Sequence, residues 1–562
     1  MESKIIGFEN GAERHTRLGE RRLGEGNLVG AAIAFRDALA SNAFDYEANA
    51  GLADVYYDAD LVEQGLNCWY RALSSARTDE ERARAYNGLG AGFYFLGKDM
   101  VAMHFFSEQL NLDQLGEYEY NDVIEDLQDQ IEAEGDALDS ADEPLFKIVG
   151  DEEKDAENAQ KLQKAKGYIA TGNMNEALTL LTEIDEDSGC YREALESIAF
   201  VLIVQGKWDT AQDVAEHILY LGEDSFTAHY VICCCKHKQG KTDEAAAIYD
   251  TLERFSDEND FNVKMVMLSL DIGRESDAVK YIDRVLEQTP YNINMIYARA
   301  LAKYNMGEID ECVKGFKDVL AFEENELVSK RLAEARLPDG VRPERFSYDF
   351  GVKEAETAFL MTDIIEKLAK KGKDFYGIDQ IIRNSKCIVG CGFFDLLPEM
   401  IRLGIGTDAE KYFEFLKGVL LDVTVRDEAK SIIIREYLLL GLNVRVKCVS
   451  AYVYKEFVLV PHRFEGNNAD LFNSVYATVC ADLNLIDSTR IPVFAVRLLR
   501  AKHRVEGKVV DVDESAACAA ALKMMKFKIL SDDEFVTALF DVTQEELDEA
   551  YAKLEINEED DL

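Results

Sequence analysis

The sequence predicts a mainly α chain: helix pairs stacked as a solenoid in two blocks, plus a mostly helical C-terminal domain with a β-hairpin. Three observations predict it. Gly172, Gly206, Gly240, Gly273 and Gly307 recur at spacings of 34, 34, 33 and 34 residues, each in a short polar turn after an amphipathic helical segment. Only 7 of 562 residues are proline, and the 48% hydrophobic content is rich in good helix formers rather than strand formers. The period stops at RLPDGVRP (336–343), and the run VRVKCVSAYVYKEFVLVP (444–461) alternates as a hairpin does.

The first block, residues 1–116, holds about three helix pairs. Phe35 and Ala38 in AAIAFRDALA reappear 34 residues later as Trp69 and Ala72 in GLNCWYRALS. A third copy, NGLGAGFYFLGKDMVAMHFFSEQL, follows after a few inserted residues around Thr78 to Arg82. Residues 117–158 form an acidic connector, with 17 carboxylates against Lys147 and Lys154. Such a stretch has too little apolar surface for a core of its own and reads as a solvated helix and flexible linker.

The second block, residues 159–335, holds about five pairs. Five residues after each turn glycine stands a small residue: Ala177, Ala211, Ala245, Ala278 and Cys312. Four residues further stand Leu181, Ala215, Tyr249, Ile282 and Phe316. The glycine ends one helix where the backbone needs a left-handed turn. The small residue lets paired helices approach, and the larger one fills the space between units. One pair cannot bury its apolar face alone, so neighbours must stack.

This pattern resembles the tetratricopeptide-repeat family over residues ~12–327, in its period, its turn glycine and the residues that follow, and in Pro290, which closes a unit. The resemblance implies a concave groove lined by the first helix of each pair, holding an extended or helical partner segment. In that register the groove-facing positions are Phe200, Ile203, Tyr230, Cys234, Met267, Tyr297, Leu301 and Tyr304. Aromatic residues and Met are enriched where partners anchor, and two occupants stand equally: an external peptide, or the C-terminal domain or a partner protomer packing into the groove. The Lys/Asn/Arg clamp by which some members grip chaperone tails is missing: the corresponding places carry Thr16, Glu20 and Gly51, and Glu196, Val231 and Leu301.

The C-terminal domain, residues 340–562, matches no family pattern. Helical runs are expected at 357–369, 379–389, 408–420, 427–440, 469–485, 491–504, 514–527 and the C-terminal end. The last helix pair expects Thr543 as an N-cap, and its acidic second helix argues against reading DNA. Chemistry is thin. Cys387 and Cys391 share a helix face, His462 and His503 lack companions, and no catalytic signature occurs. In HYVICCCKH, His229, Cys233 and His237 share a face, yet zinc wants ligands from more than one element, so core packing explains them. A basic island (Arg490, Arg497, Arg500, Lys502, Arg504, Lys508) reads first as a helix pairing with the acidic repeats, and second as a surface for an acidic partner or RNA.

Net charge is −45, of which residues 1–339 carry −35 and residues 340–562 carry −10. This field repels phosphate backbones and anionic lipid and attracts basic protein segments. The first twenty residues lack a signal-peptide pattern, no apolar run would span a membrane, and 11 scattered cysteines fit a reducing compartment. The expectation is therefore a cytoplasmic protein-binding scaffold without catalytic residues, cofactor or metal. Its partner is a protein or peptide, basic in character by the charge argument, and the rival reading makes the C-terminal domain an enzyme or regulator targeted by the repeats.

Overall fold

The computed structural model describes residues 11–112, 151–170, 173–186, 188–222, 224–258, 260–348, 351–352, 356–362, 377–525 and 533–556. By contact, the chain forms two compact units. One draws on Met1–Gln128, Ala321–Leu327 and Lys353–Leu562, the other on Asp129–Leu320 and Val328–Val352.

The first block is three antiparallel helix pairs: α1 (Gly11–Gly24) with α2 (Leu28–Leu39), α3 (Tyr46–Asp58) with α4 (Val62–Ser75), and α5 (Asp79–Phe95) with α6 (Asp99–Leu112). Polar residues start several of these helices. Asn27 and Asp45 accept from backbone N–H groups of α2 and α3, and Thr78 with Glu81 forms a capping box on α5. The aromatic residues that repeat along the sequence each pack on a glycine of the next unit. A Cβ on Gly51 would lie 2.4 Å from the Phe35 ring, and one on Gly88 would lie 2.2 Å from Trp69. A helix-interior glycine costs roughly 1 kcal/mol of propensity against Ala, and this close approach is what it permits.

The second block continues the scheme with α7 (Asp151–Ala170) and α8 (Met174–Thr182), α9 (Tyr191–Val204) and α10 (Trp208–Tyr220), α11 (Phe226–Lys238) and α12 (Thr242–Tyr249). Then come α13 (Phe261–Asp271) and α14 (Glu275–Gln288), α15 (Ile293–Asn305) and α16 (Ile309–Phe322), and α17 (Glu326–Ala335). Gly206, Gly240, Gly273 and Gly307 have φ of +70°, +77°, +78° and +82°, so each supplies the left-handed turn that ends its helix. Gly172 and residues 113–150 of the acidic stretch lie outside the described residues. The small residues after the turns and the larger ones a helical turn on are all buried, from Ala177 and Leu181 to Cys312 and Phe316.

The C-terminal domain runs α18 (Ile378–Cys391), α19 (Leu397–Thr407), α20 (Ala409–Leu421), α21 (Asp427–Leu439), β1 (Arg445–Ser450), β2 (Val453–Val458), α22 (Ala469–Ile486), α23 (Ile491–Arg504), α24 (Glu514–Lys523), α25 (Asp533–Phe540) and α26 (Gln544–Lys553). One hydrophobic core joins them, from Ile381 to Ile556. The expected hairpin is present, paired in register from Arg445↔Val458 to Ser450↔Val453. Thr543 caps α26 in a capping box with Glu546. Helix α19 was not foreseen: Pro398 and two glycines obscure it, although Pro fits a helix's first turn. Its Gly404 lies against the Tyr412 ring of α20, where a Cβ would come within 2.4 Å. The expected helix at 357–369 and the end of that at 514–527 run into residues outside the description.

The first block and this domain interlock. The hairpin tip, Ala451–Tyr452, reaches α4 and α5: the Tyr70 phenol donates to the Tyr452 carbonyl, and Tyr452 packs on Phe93 at 5.5 Å between ring centroids and under Lys98 at 4.6 Å. Asn67 exchanges two hydrogen bonds with the α20–α21 turn, accepting from Val423 N (2.8 Å) and donating to Asp422 (3.1 Å). The basic island corrects the first reading given to it. Arg497 donates to the Met524 carbonyl, Arg504 to the Glu555 carbonyl, Arg490 pairs with Asp487 and Lys508 with Glu555. These four cations close helix ends and loops of their own domain rather than pairing with the repeats.

Candidate functional site

Helix α15 presents Asn294, Tyr297, Leu301, Tyr304 and Asn305 at helical spacings of three, seven, ten and eleven, which is one face. Three of these were groove positions in the sequence, and all three are buried: Tyr297 is 1%, Leu301 0% and Tyr304 4% exposed. Part of the cover is the chain's own residues 343–348. The Asn305 amide donates to the Phe346 carbonyl (3.0 Å) and accepts from the Phe346 N–H (2.9 Å), a reciprocal clamp on one residue's main chain. Tyr304 donates to the Pro343 carbonyl, and its ring lies 4.0 Å from that of Phe346.

Phe346 is 5% exposed, set among Tyr304, Phe316 and the Arg331 guanidinium, which stands 5.4 Å above its ring. Arg331 also donates to the Ser347 carbonyl (3.2 Å) and hydroxyl (3.3 Å). Glu275, in the first turn of α14, accepts from both Arg345 and the Tyr348 phenol (3.1 Å). Burial pushes that phenol up to about 12. Further along, Asn294 accepts from the Val352 N–H at 3.0 Å.

The other positions expected to face a groove are more open. Phe200 on α9 is 43% exposed, while Tyr230 on α11 and Met267 on α13 are half-buried. Ile203, Tyr230 and buried Cys234 share one apolar cluster, and Tyr348 packs against it. Burial raises the Cys234 thiol and the Tyr230 phenol far above their ordinary values. The covering segment escaped the sequence reading, which took RLPDGVRP only as a boundary. The available signal was Phe346 and Tyr348 alternating with polar residues after Pro343, a period of two in a helical chain.

The tempting metal and thiol candidates separate. His229 faces Asp224 (2.8 Å) and Arg254, whereas the Cys233 thiol donates into the core to the Ala245 carbonyl (3.2 Å). Among the described residues, no group of three or more His, Cys, Asp or Glu side chains is placed to hold a metal ion. Cys387 and Cys391 do meet, with sulfurs 3.8 Å apart, and burial with the neighbouring thiol pushes Cys387 up to about 12. His462 instead packs on Phe464 and Tyr476. A half-open cavity of about 260 Å³ in the C-terminal domain is lined by Glu456, Tyr476, Cys480, Asn484 and Ser488 among others, and by neither Cys387, Cys391 nor His462. No described helix is long and apolar enough to cross a membrane.

Helix pairs of 34-residue period, with turn glycines and small packing residues in place, make the chain a tetratricopeptide-type helical solenoid with a mostly helical C-terminal domain. No protein-family profile matches the sequence, and no curated protein does either. Among solved structures, it is similar to the yeast Tom70 at 14% identity and TM-score 0.27, over 88% of this chain and 96% of that one. The Cut9–Hcn1 hetero-tetramer of the APC/C follows at 12% and 0.26, over 97% and 96%. The TPR domain of P58(IPK) stands at 17% and 0.23, over 58% and 98%. At those values the class rests on the repeat geometry of the chain itself.

Proposed function

We propose that the protein is a cytoplasmic interaction scaffold that holds extended segments of partner proteins along the first helices of its second repeat block. The observation that carries this is the clamp of α15 on the main chain of residues outside the helix pairs, with Asn305 holding Phe346 by two hydrogen bonds and Asn294 holding the Val352 N–H. A surface that reads main chain in this way suits a peptide. Phe200, Ile203, Tyr230, Cys234 and Met267 continue the binding face on α9, α11 and α13, with Tyr297, Leu301 and Tyr304 at its covered end. The charge of −35 over residues 1–339 favours a basic partner and disfavours nucleic acid and anionic membrane.

The test is capture of partners from source-cell lysate by the full chain and by a Phe200→Ser/Tyr230→Ala/Met267→Ser variant, with helicity compared by circular dichroism. A partner held by the first and lost by the folded second supports the scaffold. Identical partner sets for both sink it.

A second reading places a small-molecule site in the C-terminal domain, making it a regulator carried by the repeats. It is favoured by Asn484, which lines the 260 Å³ cavity, is 4% exposed, and has an amide oxygen with no hydrogen-bond partner. A metabolite panel in a thermal-shift assay that stabilises the chain but not Asn484→Leu would support it.

A further inference from the structure

We propose that residues 343–348 are a built-in ligand: a strap that occupies the α15 end of the groove and yields it to a partner segment of the same chemistry. That chemistry is an extended chain with a basic residue directly before an aromatic one and a second aromatic residue two positions on. The inference rests on the scaffold reading and adds to it both the kind of segment bound and a means of regulation.

The contacts specify the chemistry. Asn305 needs a residue with a free N–H and carbonyl, which any residue but proline supplies. The slot between Tyr304, Phe316 and Arg331 needs a flat ring at that same residue. Glu275 takes a cation one residue before the ring and a phenol two after it. Arg331 takes the next carbonyl. Every one of these groups acts on a side chain or main-chain atom of a six-residue run, and none depends on that run being joined to α17.

The strap rests on the surface of the block. Arg345 and Ser347 are exposed while Phe346 is buried, the alternation of an extended segment resting on a surface. Its tether leaves the block by an exposed turn, with Gly340 at φ +83° and Val341 67% exposed. A tethered ligand competes at an effective concentration in the millimolar range, so a free segment displaces it only with help. The open positions Phe200, Tyr230 and Met267 supply that help to a longer segment. The covered end thus sets a threshold: short segments are refused, and long ones pay for displacement with contacts upstream.

The experiment titrates a fluorescently labelled peptide of residues 341–348 into the full chain and into Phe346→Ser/Tyr348→Ser, read by anisotropy. The variant should bind at least about tenfold tighter than the unaltered chain, because its site is vacant more of the time. Adding Asn305→Ala to the variant should cost about tenfold, by removing two hydrogen bonds to the main chain. A scrambled peptide should not bind. A folded variant that ignores the peptide, or binds the scramble equally, overturns the proposal. If the variant does not fold, Arg345→Ala/Tyr348→Phe keeps both rings and must still bind more tightly than the unaltered chain; equal binding means that the strap is a structural cap. The assay uses only the chain's own peptide, so a failed partner capture and a failed strap are read separately.

Discussion

Tyr70 of the first repeat block donates its phenolic hydrogen to the main-chain carbonyl of Tyr452, the residue at the tip of the C-terminal hairpin. The two residues are 382 positions apart in sequence, and around them Phe93, Phe105 and Lys98 close over the tip. Tyr70→Phe keeps the ring and removes the donor. It should cost about 1 kcal/mol and raise amide exchange at 449–455, measured by hydrogen-exchange mass spectrometry. Unchanged exchange there would mean that ring packing alone seats the tip.

The same tip holds two non-glycine residues in the left-handed region, Ala451 at φ 47° and Tyr452 at φ 66°. A two-residue hairpin turn with both central φ values positive favours Asn then Gly, and Ala is poorly suited to the first place. Ala451→Asn should therefore stabilise the chain by about 0.5–1 kcal/mol, seen as a higher urea midpoint at unchanged slope. A lower midpoint would show that the Ala methyl packs usefully.

Arg402 makes two hydrogen bonds, 2.8 and 3.0 Å, to Glu436, whose side chain is 0% exposed. The Arg402 side chain is itself 58% exposed, so water can reach the carboxylate once it is gone: Arg402→Ala should cost about 1–2 kcal/mol, while Arg402→Met/Glu436→Met should lose less. Chemical denaturation of both variants separates the effects. Equal losses would place the cost in packing instead of charge.

Asp482 on α22 accepts from Ser431 at 2.5 Å, and burial pushes its carboxyl up to about 6 from an ordinary value of 3.8. A carboxyl raised in the folded state binds its proton more tightly folded than unfolded. Its contribution is fully present below about pH 4 and is lost as pH rises through about 6, by up to about 3 kcal/mol. Asp482→Asn keeps an acceptor for Ser431 and removes the charge. Urea midpoints from pH 4 to 7 should show the variant gaining on the unaltered chain as pH rises, and parallel curves would refute the assignment.

Local chemistry made much of this fold readable. Gly206, Gly240, Gly273 and Gly307 announce left-handed turns because other residues adopt them at a cost, and Thr543 announces a helix start because its hydroxyl can take an orphan N–H. The alternating run at 444–461 announced its hairpin in the same way. What stayed hidden depends on partners far away in sequence. Nothing about Asn305 marks it as a clamp until Phe346 is beside it, and Tyr70 reads as an ordinary packing residue until Tyr452 arrives. Gly404 looked like a helix breaker because its purpose, room for the Tyr412 ring, lies on another helix. The groove positions were a matter of register, which the family resemblance supplied. That the groove could be filled by the protein itself was an open alternative in the sequence, but the segment that covers these positions was not legible, since it has no period of its own.

The three consecutive thiols of α11 give this protein an internal clock. Cys233, Cys234 and Cys235 are buried, and burial pushes Cys233 up to about 12 and Cys235 up to about 11. At pH 8 they are protonated and shielded, so an alkylating reagent waits for the helix to open before it can react. The rate at which native chains take up label at these positions then reports how readily the repeat in the middle of the second block opens, with no substitution needed to install a reporter.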